Sequence, residues 1–325
     1  MSGGWAGRAV GRSYPTLMDD VRYTLRQLEY FIAVAAEGTI TGAAERCSVS
    51  ATAVSIGLTE LERALSTQLV LRQRAKGIAL TAAGRQALIH ALSLVKDAEQ
   101  FQSSVREDIV AGKLTVGCYT TLSPMLMPTL MTGYLRQHPQ VEFGLEEDSQ
   151  PELEEGLLAG RLDLALGYGR HDHDGLTSVT LARVAPHVIL PEGHRLAAEP
   201  SVSLRELADE PMVLFDVSPS REAWGQMVGE LGIDPLVAFR TKSFELTRCL
   251  VGQGFGYAVL VQRPHIPYTY DASRVVAKAI SENPTPREIV ASYPAGMRLP
   301  RRASGFLDYC RSVVPTLSQN KDLID

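Results

Sequence analysis

Two groups of side chains in this sequence have the types and spacing to do chemistry. One is basic. From Arg63 to Lys96 there are six basic residues, Arg63, Arg72, Arg74, Lys76, Arg85 and Lys96, and no Asp or Glu. Such a block suits phosphate, because neutralised phosphates release counterions near the contact and local charge density decides binding. It therefore outweighs the chain's net charge of −5. The other group consists of hydroxyls and amides that follow apolar, strand-like segments: Thr120, Thr121 and Ser123; Ser149 and Gln150; Ser218, Ser220 and Arg221; Ser243, Phe244 and Glu245; and Gln262. Hydroxyls beside the free N–H groups of a helix start favour a carboxylate or another small anion. Arg221 and Glu245 point further to a zwitterionic or acid-bearing ligand.

Other stretches tempt but do not persuade. "GRHDHDG" (169–175) offers His171, Asp172, His173 and Asp174. It is one short loop with no second cluster to complete a shell, so it reads as a solvated loop and not a metal site. "VGQGFGYAVL" (251–260) runs from helix to strand, whereas a dinucleotide fingerprint runs from strand to helix. No GxSxG, HExxH or Walker pattern occurs, and His138 and His194 lack a paired nucleophile or carboxylate at readable spacing. Nothing demands catalysis, a metal or a cofactor.

The elements that must position the basic group are short helices. "LRQLEYFIAVAA" (25–36) spaces Leu25, Leu28, Phe31, Ile32 and Ala35 for one helix face, and Gly38 ends it. A second helix near 41–47, "CSVS" as a turn, and a third helix from the N-cap Ser50 to about Leu65 follow. In that third helix Val54, Leu58, Leu61 and Leu65 repeat at helical spacing and face a core. The opposite face carries Thr52, Ser55, Ile56 and Thr59. "LVLRQRAKGIALTAAG" (69–84) reads as strand, basic turn, strand and helix start, the pattern of a winged helix-turn-helix whose wing lies against phosphate. The helix from Ala82 to about Ala111 is too long for one small domain and implies packing on a partner, often another copy. Its apolar stripe is Leu88, Ala91, Leu92, Val95, Ala98 and Val105.

The second group is positioned by alternating strands and helices. Strands are expected at 113–119, 141–146, 162–166, 186–191, 212–215, 236–241, 256–261, 273–280 and 286–293. Helices are expected at 123–137, 150–159, 203–208, 220–231, 244–252 and 301–312. Such alternation predicts a largely parallel α/β sheet, here in two lobes with a ligand cleft outside the strands' carboxyl ends.

Composition agrees with a globular protein: 45% apolar and 21% charged residues. No run reaches the roughly 18–20 apolar residues of a membrane span. Residues 1–24 read as a Gly- and Arg-containing flexible arm without a secretory h-region, with Met18 an alternative start. Four scattered cysteines without CxxC suit a reducing cytoplasm.

The order and spacing of "LRQLEYFIAVAAEGTITGAAERCSVSATAVSIGLTELERAL", "LTAAG" (80–84), "MPTLMTGYLRQHPQVEF", "LEEGLLAGRLDLALGYG" and "VILPEGHRLA" resemble the bacterial LysR-type transcriptional regulators, over residues 25–312. The resemblance implies an α/β protein: an N-terminal winged helix-turn-helix with a long linker helix, then a two-lobed periplasmic-binding-protein-like effector domain. On this chain that is an arm at 1–24, a DNA-binding domain at 25–81, a dimerising helix at 82–112, an effector domain at 113–312 and a tail at 313–325. Lobe 1 takes 113–184 and 286–312, lobe 2 takes 185–285. Implied partners are double-stranded promoter DNA, a small effector, RNA polymerase and further copies of the chain as dimer or tetramer; no membrane is implied. Among the effector-side hydroxyls, the matching family position singles out Thr121. There are departures: the family commonly has Arg or Lys where this chain has Gly42 on the second helix, and on the reading helix often Gln or Pro at Ala51 and a polar residue, often Arg, at Ile56. Thr and Ser hydroxyls with the methyls of Ala51, Thr52, Ile56 and Thr59 then leave thymine methyls and DNA shape to be read, with Arg72, Arg74 and Lys76 near phosphates or the minor groove. A reading from another class is a periplasmic-binding-like binder or enzyme whose N-terminal region only oligomerises.

Overall fold

Helix α1 (Leu25–Glu37) starts at a reciprocal cap: Thr24 Oγ1 accepts from Gln27 N at 3.2 Å while Thr24 N donates to Gln27 Oε1 at 2.8 Å. It stops at Gly38, whose φ of +63° suits glycine. Helix α2 (Ile40–Cys47) is capped by Thr39, and α3 (Ala51–Ala64) by Ser50, which accepts from Ala53 N at 3.1 Å. The apolar stripes of the three helices meet through Leu28, Phe31, Val34, Ala43, Val54, Leu58 and Leu61, all buried. Strands β1 (Val70–Gln73) and β2 (Gly77–Leu80) pair antiparallel as the wing. Glu62 on α3 holds the wing's base by accepting from Leu69 N and Val70 N at 2.7 and 3.1 Å. Ile78 N donates to Gly38 O at 2.8 Å from the other side. Helix α4 (Ala82–Ser104) then leaves the wing, its first turn capped by Thr81 Oγ1, which accepts from Gly84 N at 2.8 Å.

The computed structural model describes residues 21–73, 77–104, 110–169 and 175–319. They fall into two compact units, one ending at Ala87 and one beginning at Leu88. Among the described residues the second unit holds two larger sheets and one pair of parallel strands. The five-stranded sheet has the order β4-β3-β5-β13-β6, from β3 (Gly112–Tyr119), β4 (Val141–Asp148), β5 (Leu164–Tyr168), β6 (Leu176–Val184) and β13 (Arg287–Pro294). Helices α5 (Ser123–Gln137), α6 (Gln150–Leu158) and α9 (Arg301–Gln319) accompany it. The other lobe has a four-stranded sheet of order β11-β7-β12-β8, from β7 (His187–Pro191), β8 (Ser201–Val202), β11 (Ala258–Leu260) and β12 (Val275–Ile280). Parallel strands β9 (Met212–Phe215) and β10 (Val237–Thr241) adjoin it through a Met212–Tyr257 bridge, with α7 (Ser220–Leu231) and α8 (Phe244–Gly252) alongside. The chain passes between lobes twice, at 184–187 and 280–287.

Four expectations change. The sheets are mixed: β3 runs parallel to β4 and β5, but β13 is antiparallel to β5 and β6, and β7 is antiparallel to β11 and β12. Strand β6 was not anticipated, because as an edge strand it buries only Leu181 and Val184 and lacks a clear apolar run. Residues 203–208 are turns, not a helix. Helix α9 continues past 312 to Gln319, since Val314 is fully buried in the lobe core and extends the apolar face. Part of the α4 stripe is also consumed within its own chain: Leu88, Ala91 and Leu92 are buried, and a Cβ on Gly160 would come within 2.2 Å of Leu92.

Glycine position separates two effects. On the exposed face of α7, an added Cβ at Gly225 meets nothing within 4 Å. Gly225→Ala should therefore stabilise the chain by about 0.5–1 kcal/mol, read as a raised midpoint in urea denaturation.

Candidate functional site

Helix α3 turns Val54, Gly57, Leu58 and Leu61 inward, leaving Ala51, Thr52, Ile56 and Thr59 exposed and Ser55 half-buried. Gly57 belongs to the packing: a Cβ there would lie 2.7 Å from the Tyr30 ring, so glycine lets α1 and α3 approach closely. Ile56 is 54% exposed, which rules out a core role for a β-branched side chain at the centre of this face. The Thr59 hydroxyl donates to Ser55 O at 2.9 Å and so presents acceptor lone pairs outward. The wing's Arg72 reaches back to α3: its Nη2 donates to Ser55 Oγ at 3.2 Å. The guanidinium thus sits beside the exposed helix face with further N–H donors to spare. Arg74 and Lys76 fall outside the described residues. The arrangement offers a helix face of methyls and hydroxyls, flanked by a positioned cation, of a size that fits a major groove.

The cleft between the lobes of the second unit is lined by Thr121 and Tyr168 from one lobe and by Phe215, Ser220, Trp224, Met227, Phe244 and Gln262 from the other. Arg287, where the chain returns to the first lobe, completes it. Gln262 Nε2 donates to the Tyr168 hydroxyl at 2.9 Å, a bond that spans the lobes. Burial pushes the Tyr168 pKa up, opposed by hydrogen bonds with Gln262 and Thr121, so the group stays a neutral phenol. Tyr119 packs edge-on against that ring, 5.5 Å between centroids, with its hydroxyl buried close to Ser220. Arg287 donates weakly from Nη2 to Ala223 O at 3.4 Å, and its Nε is buried with no partner among the described residues. A buried guanidinium N–H beside two hydroxyls and an amide, with aromatic walls, can bind a small organic anion. The free space is about 40 Å³. At about 10–15 Å³ per water, a larger ligand must move the lobes.

Both parts of the chain match family models. The LysR substrate binding domain matches residues 108–315, and the bacterial regulatory helix-turn-helix of the lysR family matches residues 25–85. The chain belongs to the LysR family. It is a DNA-binding transcriptional regulator with an effector-binding domain. Among LysR relatives, the transcriptional dual regulator GltC of Bacillus subtilis is 28% identical over 300 residues, 91% of this chain and 99% of GltC. The structure of HinK, a LysR family transcriptional regulator from Pseudomonas aeruginosa, is 36% identical with a TM-score of 0.63, covering 91% of this chain and 99% of HinK. A full-length OxyR variant from the same organism shares the fold at 24% identity and a TM-score of 0.68, covering 89% of this chain and 97% of OxyR.

On this LysR scaffold the structure sorts the anticipated effector residues. Thr121, Ser220, Phe244 and Gln262 line the cleft. Gln150 does not; its amide bridges α6 to β5, accepting from Tyr168 N at 3.2 Å and donating to Tyr168 O at 2.8 Å. Glu245 is spent on buried Arg248, 2.5 Å away, and on Tyr270 N at 2.8 Å. Arg221 is exposed and bonded to Asp216 and Glu222 at 3.3 and 2.8 Å, with Ser218 also acting on Glu222. Ser243 caps α8 by accepting from Leu246 N at 3.2 Å. Ser149 N donates to Asp148 Oδ1 at 2.8 Å, and Thr120 N to Asp148 O at 3.3 Å. Ser123 is buried in α5 and stands outside the lining, as do Thr120 and Ser149. Each of these sits near a strand end or helix start, as its sequence position implied; bridging, ion pairing and capping engage the side chains of Gln150, Glu245, Arg221 and Ser243. Arg287, Tyr168 and Trp224 escaped sequence reading. They belong to the start of the late-returning β13, the end of β5 and the body of α7, and only the fold brings them together.

No helix among the described residues is long and apolar enough to cross a membrane. Cys118 and Cys310 lie in the lobe core, where burial pushes the Cys310 thiol up to about 12 and Cys118 higher still. Such thiols carry little thiolate and are poor nucleophiles.

Proposed function

We propose that this regulator answers to a small carboxylate-bearing effector held in the interlobe cleft. The observation that carries the reading is the partnerless buried Nε of Arg287 beside Thr121, Tyr168, Ser220 and Gln262. The Arg221–Glu245 basis for an acid-bearing ligand is replaced by this one, since both of those side chains are engaged elsewhere. A ligand too large for the free space shifts the lobes, and that shift changes which half-sites paired reading helices can span. A panel of amino and carboxylic acids tests the idea by thermal shift and by promoter mobility shift; silence across the carboxylates would sink it.

On DNA, the regulator discriminates through methyls and hydroxyls of α3 together with DNA shape, since no side chain on the exposed face makes a bidentate purine contact. Thr52→Ala and Ile56→Ala should each alter the sequences recovered in a binding-site selection, and unchanged sequences would refute the reading. Arg72→Ala should lower the slope of log K against log salt by about one while weakening all sequences alike. The working form is a cytoplasmic homo-oligomer that contacts RNA polymerase at the promoter. Helix α4 supports self-association: Leu94 and Phe101 are 42% and 70% exposed and, with half-buried Ala98 between them, form an i, i+4, i+7 apolar stripe. Leu94→Asp combined with Phe101→Asp should lower the oligomeric mass in analytical ultracentrifugation; an unchanged mass places the interface elsewhere.

A further inference from the structure

A second cavity, about 360 Å³ against about 40 Å³ for the interlobe cleft, lies along the sheet of lobe 2 where the chain crosses between lobes. Its floor follows from strand register. Ala277 pairs with Ile189, Ala279 pairs with His187, and Leu260 pairs with His187, so these side chains share one face of the sheet. Two alanines in alternate positions leave on that face a trough that larger residues would fill. Met125 of α5 and Leu317 of α9 supply an apolar wall from lobe 1, and the Pro264–Pro267 segment supplies the opposite rim.

The lining's charge is one-sided. It includes Arg248, Arg263, Arg274, Lys278, His187 and His265, and no Asp or Glu. Three of these are discounted. Arg248 is committed to Glu245 and to the carbonyls of Ile266 and Tyr268, Arg274 to Glu192, and Lys278 pairs in register with Val188 on the other face of β12. Of the remaining three, His187 is buried in the sheet, and Arg263 and His265 are exposed on the rim, with no hydrogen bond or ion pair to any described residue. The Arg248 bonds hold the segment that carries them. A cation at the mouth of an apolar trough, in a cleft without a carboxylate, concentrates a positive field on whatever enters.

We propose that this trough is a second ligand site, separate from the interlobe cleft, for a small organic anion with a flat apolar body. The apolar part lies on Ala277, Ala279 and Leu260, and the anionic group meets Arg263. Both crossovers, through Val184–Pro186 and through Asn283–Pro284, form part of its wall. An occupant therefore touches the segments about which the lobes turn, and the trough is already open enough to admit it without lobe movement.

Naphthalene-2-carboxylate is a suitable probe, titrated into the full-length protein by calorimetry. The wild-type chain should bind it, and the uncharged naphthalene-2-carboxamide should bind about tenfold or more weakly, the scale of one charge-assisted contact. Ala279→Phe should abolish binding by filling the trough; Ala279 is exposed, and promoter binding reports that the variant is folded. Arg263→Gln, at an exposed position, gives a second handle and should weaken the carboxylate by about fivefold or more without changing the carboxamide. Arg287→Met, in the other cleft, should leave the probe's affinity unchanged. No binding by the wild-type chain at millimolar probe overturns the proposal. So does full affinity in Ala279→Phe, equal affinity for acid and amide, or loss of binding in Arg287→Met, which would put the probe between the lobes.

Discussion

Gly84→Val is expected to destabilise the winged domain by about 3 kcal/mol and to remove specific promoter binding. Gly84 is buried in the first turn of α4, where a Cβ would stand 2.1 Å from the carbonyl oxygen of Leu69 and 3.0 Å from its carbon. The obstacle is backbone and cannot rotate away. That carbonyl is also pinned, since Thr81 N donates to it at 3.0 Å and Thr81 Oγ1 lies 3.3 Å away. Moving it breaks the junction at which the wing's base meets α4, at about 0.5–1.5 kcal/mol per hydrogen bond lost on top of the overpacking. The expected loss is a large share of the roughly 5–15 kcal/mol that keeps a domain folded. Urea denaturation followed by circular dichroism, with a mobility shift on promoter DNA, measures both outcomes. The opposite sign at Gly225→Ala provides the control, because that substitution changes propensity with no neighbour to meet. A Gly84→Val protein with unchanged stability would show that the α4–wing junction tolerates a shift the geometry forbids.

Arg287→Met should lose the effector response and keep, or gain, stability. Hydrogen bonds to charged groups contribute about 1.5–3 kcal/mol, so a carboxylate effector should bind about ten- to a hundredfold more weakly to the variant. Without ligand, a buried guanidinium N–H with no partner is a cost to the fold. Methionine keeps much of the side chain's volume and removes that cost, so the melting temperature should stay level or rise. Titrating the acid that scores in the panel against the promoter complex, with parallel thermal melts, separates the two effects. Undiminished response in Arg287→Met removes this residue from the effector site. A lowered melting temperature with normal response would make Arg287 a structural residue.

The DNA-reading half of the protein was legible because its signals are local. Caps, helical spacing and the turn at "CSVS" lie within a few residues of what they control. Ser50 caps its helix where the sequence placed an N-cap. The exposed face of α3 could be listed from periodicity, since a helix with one buried stripe has only one other face to show, although Leu65, expected on the core stripe, is exposed at the C-cap. Arg72 was legible as a basic wing residue, but its bond to Ser55 depends on how β1 folds back on α3.

The effector half was legible as strands and helices but not as a site. Sequence by itself determined which residues stand at strand ends, and therefore where polar groups cluster. It did not determine which would stay available, because a Ser or Gln at a helix start caps, bridges or faces a ligand with the same local pattern. Only the tertiary structure decided that Gln150 is consumed by Tyr168, that Glu245 is consumed by Arg248, and that Arg287 returns from more than a hundred residues away to sit by Thr121. Edge strand β6 and the antiparallel return of β13 were hidden for the same reason. Pairing partners distant in the chain set strand order, and no short-range periodicity encodes them.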